Sequence, residues 1–119
     1  MDRIRDFLSK ISFFQGLEQA ELDDIASIAG SKDLNKGEIL FVEGDEGDGF
    51  YIVISGRVKI FKESPEGKEV IIHICGPMDH FGQVAVYAGR TFPASAQAMA
   101  DSKLVFLPRR EFRELIRRK

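Results

Sequence analysis

The stretch FGQVAVYAGRTFPASA, from Phe81 to Ala96, decides how the rest of the chain is interpreted. Gly82 has no Cβ atom and can adopt backbone conformations closed to other residues, and an apolar helical turn follows it. Because the first N–H groups of such a turn are unpaired and the helix dipole is positive there, the turn can bind an anion such as a phosphate. An ordinary turn between two strands is the alternative that the same residues allow.

The size and charge of the chain limit its function. Its 119 residues, 44% hydrophobic and 30% charged, fit one compact domain with a single core. The formal net charge of -2 gives no global field that would hold nucleic acid, so we do not expect this segment to bind DNA directly. The sequence also contains no phosphate-binding loop of the nucleoside-triphosphatase type and no nucleophile elbow, so we expect a protein that is not an enzyme.

The single cysteine and the absence of a long apolar run point to a cytoplasmic protein. One cysteine, Cys75, excludes an internal disulfide framework and a cysteine-rich metal or iron–sulfur site. No apolar run approaches the roughly 20 residues of a membrane span, and the charged N-terminus does not resemble a secretion signal. We therefore expect no membrane contact.

The spacing of apolar residues changes from helical to strand-like along the chain. Ile4, Phe7, Leu8 and Ile11 form one helical stripe, and a second helix is expected to begin near Glu18 and stop at Gly30. Short apolar runs separated by glycine-bearing turns follow at 39–42, 50–60, 70–75 and 94–107. Such a pattern is typical of a β-sandwich, jelly roll or barrel.

The alternation of apolar and polar residues within these runs predicts which face of each strand is buried. Ile52, Ile54, Val58 and Ile60 are expected to share one face of a sheet whose other face is wet. The turn sequence ESPEGKE predicts a hairpin between flanking strands. The run 70–75 is apolar on both faces, so we expect it to be covered on both sides or to line a cavity.

The C-terminal residues predict a basic amphipathic helix. Pro108 suits its first position, and Phe112, Leu115 and Ile116 form its apolar stripe. Arginines cover the rest of the helix surface. We interpret them as a solvent-exposed face or as a link to a following segment, in preference to a DNA contact. Because the chain stops at Lys119, we expect it to be a piece of a longer protein.

Taken in order, these features resemble the cyclic-nucleotide-binding-domain superfamily, and more narrowly the sensor domain of CRP/FNR-type bacterial transcription regulators. The resemblance is carried by KGEILFVEGDEGDGFYIVISGRVKIF, from Lys36 to Phe61, and by HFGQVAVYAGRTFPASAQAMADSKLVFLPRREF, from His80 to Phe112. It implies a mainly β fold, a double-stranded β-helix of jelly-roll type with two N-terminal helices and a C-terminal helix. The single sensor domain over 1–119 would comprise a helical part at 1–30, a β-roll at 31–107 and the start of the last helix at 108–119.

The resemblance also implies a function. In regulators of this type, a small-molecule effector binds in the β-roll and shifts a homodimer between states that bind operator DNA poorly or well. DNA would be contacted only through a C-terminal helix-turn-helix that this chain does not contain. The effector could be a cyclic nucleotide or another small molecule, and a ligand-free interaction module is a further alternative.

The phosphate-binding residues of the family are only partly matched here. Cyclic-nucleotide binders use a Gly-Glu pair, whose Glu holds the ribose hydroxyl, and an Arg followed by Ser or Thr that holds the phosphate. The corresponding residues in this chain are Gly82, Gln83, Pro93 and Ala94. Since Pro93 supplies neither charge nor an N–H group, we expect an effector other than cyclic AMP.

Neighbouring residues complete the expected pocket. Arg90, with Thr91 beside it, could reach in as a substitute cation, although a solvent-exposed loop arginine is the favoured interpretation. Ser95 is displaced from the hydroxyl position and is expected to point elsewhere. The candidate ligand-binding set is Gly82, Gln83, Val84, Ala85, Arg90, Thr91, Pro93, Ala94 and Ser95, together with strand residues such as Val70 or Ile72.

A haem or metal site is a weaker alternative. His73 and His80 are the only histidines, and His73 is expected to share a strand face with Cys75. A partly buried histidine beside a cysteine that packs as a small apolar residue explains the same pattern and is favoured.

Overall fold

The computed structural model describes residues 3–83 and 91–117. Helices precede and follow a region of eight described strands. In chain order the elements are α1 (Arg3–Leu8), a 3-10 helix (Ser12–Phe14), α2 (Gln19–Ile28), β1 (Gly30–Leu34), β2 (Ile39–Phe41), β3 (Gly49–Ser55), β4 (Val58–Glu63), β5 (Glu69–Cys75), β6 (His80–Phe81), β7 (Ser95–Ala98), β8 (Ser102–Pro108) and α3 (Arg109–Arg117).

The strands form two antiparallel four-stranded sheets. One sheet has the order β1-β8-β3-β6, and the other has the order β2-β7-β4-β5. Strands far apart in sequence are therefore neighbours, as in a jelly roll. The predicted fold class, mainly β with helices at both ends, is confirmed.

The buried residues form two clusters, where the sequence analysis expected a single core. The helical core packs α1, α2 and α3 against the first sheet and contains Leu8, Ile11, Phe14, Leu22, Ile25, Phe50, Ile52, Val105, Leu107 and Phe112. The roll interior lies between the sheets and contains Leu34, Phe41, Val53, Val58, Cys75, Phe81, Phe92, Ala96, Ala98 and Leu104. Because side chains alternate along a strand, β3 and β8 contribute to both clusters.

The prediction that one face of the 50–60 run is exposed to solvent is wrong. In β3, Ile52 belongs to the helical core and Val53 to the roll interior, and both are fully buried. A glycine turn at Gly56, where φ is +97°, separates β3 from β4. The turn interrupts the alternation, so Val58 lies in the roll interior and does not share a face with Ile52.

The expectation that the 70–75 run is covered on both sides is also wrong. This run forms β5, which among the described strands pairs with β4 alone and lies at the edge of its sheet. The side chains of Val70, Ile71, Ile72 and Ile74 are exposed, and of this strand only Cys75 is buried. The predicted hairpin between β4 and β5 is present, with a positive φ at Gly67 and Ser64 N–H donating to the Lys68 carbonyl at 2.8 Å.

The ends of the elements differ slightly from the predictions. Helix α2 begins after Glu18, whose N–H donates to the Glu21 carboxylate at 2.8 Å in a capping box. Pro108 is the last residue of β8, paired with Gly49, and is not the first residue of α3.

Strands β1 and β6 were not predicted, because GSKDL buries only Leu34 and β6 has two residues.

Candidate functional site

The predicted glycine turn at Gly82 lies directly after β6. Its φ is +89°, a left-handed conformation that favours glycine. A Cβ atom at this position would lie 3.3 Å from Cε1 of Phe92 and 3.5 Å from Cα of Phe50. Both the conformation and the close neighbours therefore call for glycine, and the turn abuts the roll interior.

The neighbouring residue, Gln83, holds an unused hydrogen-bond acceptor. Its Oε1 atom is buried and has no donor among the described residues. Leaving a buried polar atom unpaired costs about 1–3 kcal/mol, and a ligand N–H or O–H group would remove that cost. This oxygen occupies the position where the resemblance places a contact to a ligand hydroxyl.

Segment 91–95 pairs with the acidic loop 43–48, which joins β2 to β3. The Phe92 N–H donates to the Asp45 carbonyl at 3.0 Å, and the Phe92 carbonyl accepts from the Gly44 N–H at 2.9 Å. The Glu43 N–H donates to Ser95 Oγ at 2.9 Å. These bonds hold the segment against loop 43–48 and occupy the Phe92 N–H and carbonyl groups and the Ser95 hydroxyl oxygen.

The predicted ligand residues are found in different environments. Thr91 and Pro93 are exposed, whereas Ala94 and Ser95 are buried. The remaining predicted members Val84, Ala85 and Arg90 lie outside the described residues. Val70 and Ile72 lie on the exposed edge strand, so the expectation that they line the pocket is wrong.

Phe92 was not among the predicted site residues, although its ring lies beside the Gly82 turn. Its ring stacks on that of Phe41, with centroids 3.6 Å apart and planes 8° from parallel. Phe41 in turn lies 6.1 Å from both Phe81 and Tyr51. The signal was present in the alternation of segment 91–96, because Phe92, Ala94 and Ala96 are buried while Pro93 faces solvent.

An acidic residue, Asp48, lies near Tyr51. Burial, and then the nearby Asp48 carboxylate, raise the pKa of Tyr51, so this phenol keeps its proton at neutral pH. Arg109 donates twice to loop 43–48. Its guanidinium Nη1 donates to the Gly47 carbonyl at 3.4 Å, and its backbone N–H donates to the Asp48 carbonyl at 2.7 Å. The loop between β2 and β3 is thereby tied to the start of α3.

The three metal or haem candidates do not meet at one site. His73 is exposed on β5, and Cys75 is buried in the roll interior. Burial, with a smaller contribution from Asp79, raises the pKa of the Cys75 thiol to about 11. His80 packs against Phe13 of the 3-10 helix, with ring centroids 4.7 Å apart, and its buried Nδ1 has no partner among the described residues.

Within residues 3–83 and 91–117, no cluster of three or more His, Cys, Asp or Glu side chains is placed to hold a metal ion. None of the helices in this part of the chain has the length and apolarity that a membrane crossing requires.

Comparison with known proteins links this geometry to a family. Residues 31–119 match the family model described as "Cyclic nucleotide-binding domain". The chain is 32% identical over 111 residues to a CRP-like cAMP-activated global transcriptional regulator of Mycobacterium tuberculosis, covering 93% of this chain and 50% of the relative. It is 33% identical to the cyclic AMP receptor protein of Thermus thermophilus, covering 88% of this chain and 49% of the relative.

A solved structure has the same fold over nearly the whole chain. The sensor domain of the transcriptional regulator DNR from Pseudomonas aeruginosa superposes with a TM-score of 0.88 at 25% identity. The match covers 95% of this chain and 76% of that domain. The chain thus spans about half the length of the two curated relatives and most of an isolated sensor domain.

Proposed function

Because the chain belongs to the family of cyclic nucleotide-binding domains, we propose that it is the effector-sensing domain of a transcription regulator. In this proposal it is not an enzyme, it works in the cytoplasm, and it binds a small molecule between its two sheets. Effector binding changes the DNA affinity of a homodimer through a helix-turn-helix domain outside this chain. The observation that carries the proposal is the buried Oε1 of Gln83, an acceptor beside the Gly82 turn for which the described residues supply no donor.

The effector in this proposal is not a cyclic nucleotide. A phosphate held at a protein site requires charged or N–H donors, and an Arg–phosphate pair provides two parallel bonds. Pro93 is exposed and has no N–H group, and Gln83 carries no charge. A cyclic phosphate at the Gly82 turn would therefore lack the contacts that compensate its lost hydration.

Calorimetry and thermal unfolding with cyclic AMP and cyclic GMP test this proposal. At a ligand concentration 100 times its Kd, binding stabilises a protein by about 2.7 kcal/mol, which raises Tm by several degrees in a domain of this size. We expect neither nucleotide to reach that shift at about 1 mM. A micromolar Kd for either one would contradict the proposal.

A screen of uncharged metabolites tests the sensor role itself. Compounds that raise Tm are compared between the parent chain and Gln83→Leu, which removes the buried acceptor. We expect the variant to lose at least one stabilising compound. If the screen yields none, the domain is a ligand-free interaction module.

The names of the relatives favour a second candidate, a conventional cyclic-nucleotide sensor. In that case Arg90 would supply the missing cation, and Arg90→Ala would abolish cyclic AMP binding. Arg57→Ala, an exposed arginine between β3 and β4, is the control and would leave binding unchanged.

The buried Nδ1 of His80, which has no partner among residues 3–83 and 91–117, favours a third candidate, a haem or metal sensor. A Soret band that disappears in His80→Ala would support it. A purified protein without such a band after incubation with haemin would count against it.

A further inference from the structure

We infer that two copies of this chain pair through the free edge of strand β5, with the two β5 strands antiparallel. The pairing joins the β2-β7-β4-β5 sheets of the two copies into one continuous sheet. This inference builds on the homodimer of the proposed function and names the surface that each copy contributes, and it requires no effector. Four observations on the described residues carry it.

The first observation is the unpaired backbone of β5. Among the described strands β5 pairs with β4 alone, so one row of its N–H and carbonyl groups has no strand beside it. The Lys68 carbonyl faces β4, because it accepts from the Ser64 N–H at 2.8 Å. Since backbone groups alternate in direction along an antiparallel strand, those of Glu69 and Ile71 are directed to the free edge. Another strand can therefore pair there.

The second observation is the composition of this edge. Between its terminal residues, Glu69 and Cys75, β5 contains no carboxylate, ammonium or guanidinium group and no proline. Its exposed apolar side chains are Val70, Ile71, Ile72 and Ile74. Such β-branched residues favour strand pairing, and covering them removes apolar surface from water. Proteins normally place a charge or a proline on an edge strand to prevent this pairing.

The third observation is that the other three edge strands of the described sheets are protected. Strand β1 carries Lys32 and Asp33, β2 has three residues, and β6 has two. Charged or very short edges resist the addition of another strand. Strand β5 has seven residues. A register shift beside Ile72 twists this edge and limits the strength of the pairing, but the strand continues on both sides of the shift.

The fourth observation is the placement of charge, which favours a second copy as the occupant. Lys68 and Glu69 lie together at the N-terminal end of β5. Antiparallel pairing of two identical strands places this charged end of each copy beside the opposite end of the other. Like charges are thereby kept apart, whereas a parallel arrangement would bring each charge beside its own counterpart.

The contacts made by these charges are complementary. Glu69 is neutralised within its own copy, because its Oε2 accepts from Lys59 Nζ at 2.6 Å. Beyond the other end of β5 lies the Asp79 carboxylate, which accepts from the Gly76 N–H at 2.8 Å. The Lys68 ammonium of the second copy therefore approaches a group of opposite charge. Exposed charges of this kind add little affinity, but they fix the orientation of the pair.

The expected association is weak. An interface along one strand edge is at the small end of specific interfaces, below about 1,200 Å², where association is transient. We therefore expect the dimer to be populated above about 100 μM protein and the chain to be monomeric at about 1 μM.

Sedimentation velocity of the purified chain between these concentrations tests the inference. Ile71→Lys places a charge on the pairing edge and should weaken dimerisation about tenfold or more. Ile39→Lys is the matched control, because Ile39 is 45% exposed on the opposite edge of the same sheet and Ile71 is 47% exposed. It should leave the dimer unchanged. A parent chain that stays monomeric, or equal weakening by both variants, would overturn the inference.

Disulfide crosslinking identifies the residue at the two-fold axis. In a Cys75→Ala background, which removes the native thiol, cysteine is introduced singly at Val70, Ile71 or Ile72. A residue at the axis faces its own counterpart with Cα atoms about 4.5–5.5 Å apart, within the range that a disulfide spans. One of the three should crosslink rapidly on oxidation, and Ile39→Cys should not. Crosslinking of Ile39→Cys at the same rate would contradict pairing through β5.

The outcomes for this interface and for the sensor role are separable. A monomeric chain that still binds a compound from the metabolite screen would overturn the β5 pairing alone. A chain that dimerises through β5 but binds no compound would support the pairing and contradict the sensor role.

Discussion

At the scale of single residues, the turn after β6 depends on the absence of a side chain at Gly82. Its φ of +89° is unfavourable for any residue with a Cβ atom, and the same position is crowded by Phe92. Gly67, in the β4–β5 hairpin, also has a positive φ, of +83°, but nothing lies within 4 Å of its added Cβ atom. Comparing substitutions at the two glycines therefore separates the cost of backbone strain from the cost of steric crowding.

We expect Gly67→Ala to lower the free energy of unfolding by about 1–2 kcal/mol, from backbone strain alone. Gly82→Ala should lower it by about 2–4 kcal/mol, because the methyl group also displaces the Phe92 ring. Urea denaturation of both variants measures the difference. Equal losses would mean that the ring moves aside without cost.

The residues of the candidate site were predictable in part. The glycine turn at Gly82 could be identified from the local sequence pattern, whereas Gln83 became a candidate only through the family resemblance. The alternation of segment 91–96 could have identified Phe92 as facing inward, but the pairing of this segment with a loop almost fifty positions earlier in the chain could not be predicted from a local pattern. The burial of Ser95 has the same long-range origin.

At the scale of elements, β3 and β5 are both rich in isoleucine and valine but lie in opposite environments. Strand β3 is between β8 and β6 and is covered by the helices on one face and by the second sheet on the other. Strand β5 is at an edge, and its apolar side chains face solvent on both sides. Composition alone does not distinguish a central strand from an edge strand, which explains why the two predictions of burial were wrong.

A pair of identical substitutions tests this difference. Ile52, which is 0% exposed, should lose about 2–5 kcal/mol of stability on substitution by Ala, from lost burial and the cavity left behind. Ile72, which is 55% exposed, should change by no more than about 0.5 kcal/mol on the same substitution. Chemical denaturation monitored by circular dichroism measures both. Comparable losses would show that β5 is covered in solution.

At the scale of the whole molecule, β3 and β8 join the two buried clusters. Since each strand places alternate residues in the helical core and in the roll interior, neither cluster can open without disturbing the other. We expect the domain to unfold in one cooperative step. The jelly-roll class was predictable from glycine spacing and family resemblance, but the division into two clusters was not, because it follows from strand order.

The raised pKa of Cys75 makes the free energy of unfolding depend on pH in the alkaline range. Burial raises the pKa of the folded thiol from 9.0 to about 11, so the folded state binds more protons than the unfolded state between these values. Stability is therefore unaffected by this group below about pH 9 and falls as pH rises from about 9 to about 11. Denaturation midpoints of the parent chain and Cys75→Ala over this range should converge. An identical alkaline decline in both proteins would assign it to other groups.

The stacked rings of the roll interior give the domain an optical signature. The chain contains no tryptophan and two tyrosines, so its near-ultraviolet circular dichroism comes from tyrosine and phenylalanine. Tyr51 is held at 19° to the plane of Phe81 and lies 5.1 Å from Phe106, an asymmetric setting that should give a strong tyrosine band. In a Tyr87→Phe background, that band would belong to Tyr51 alone and would report on the packing of these rings without any added label.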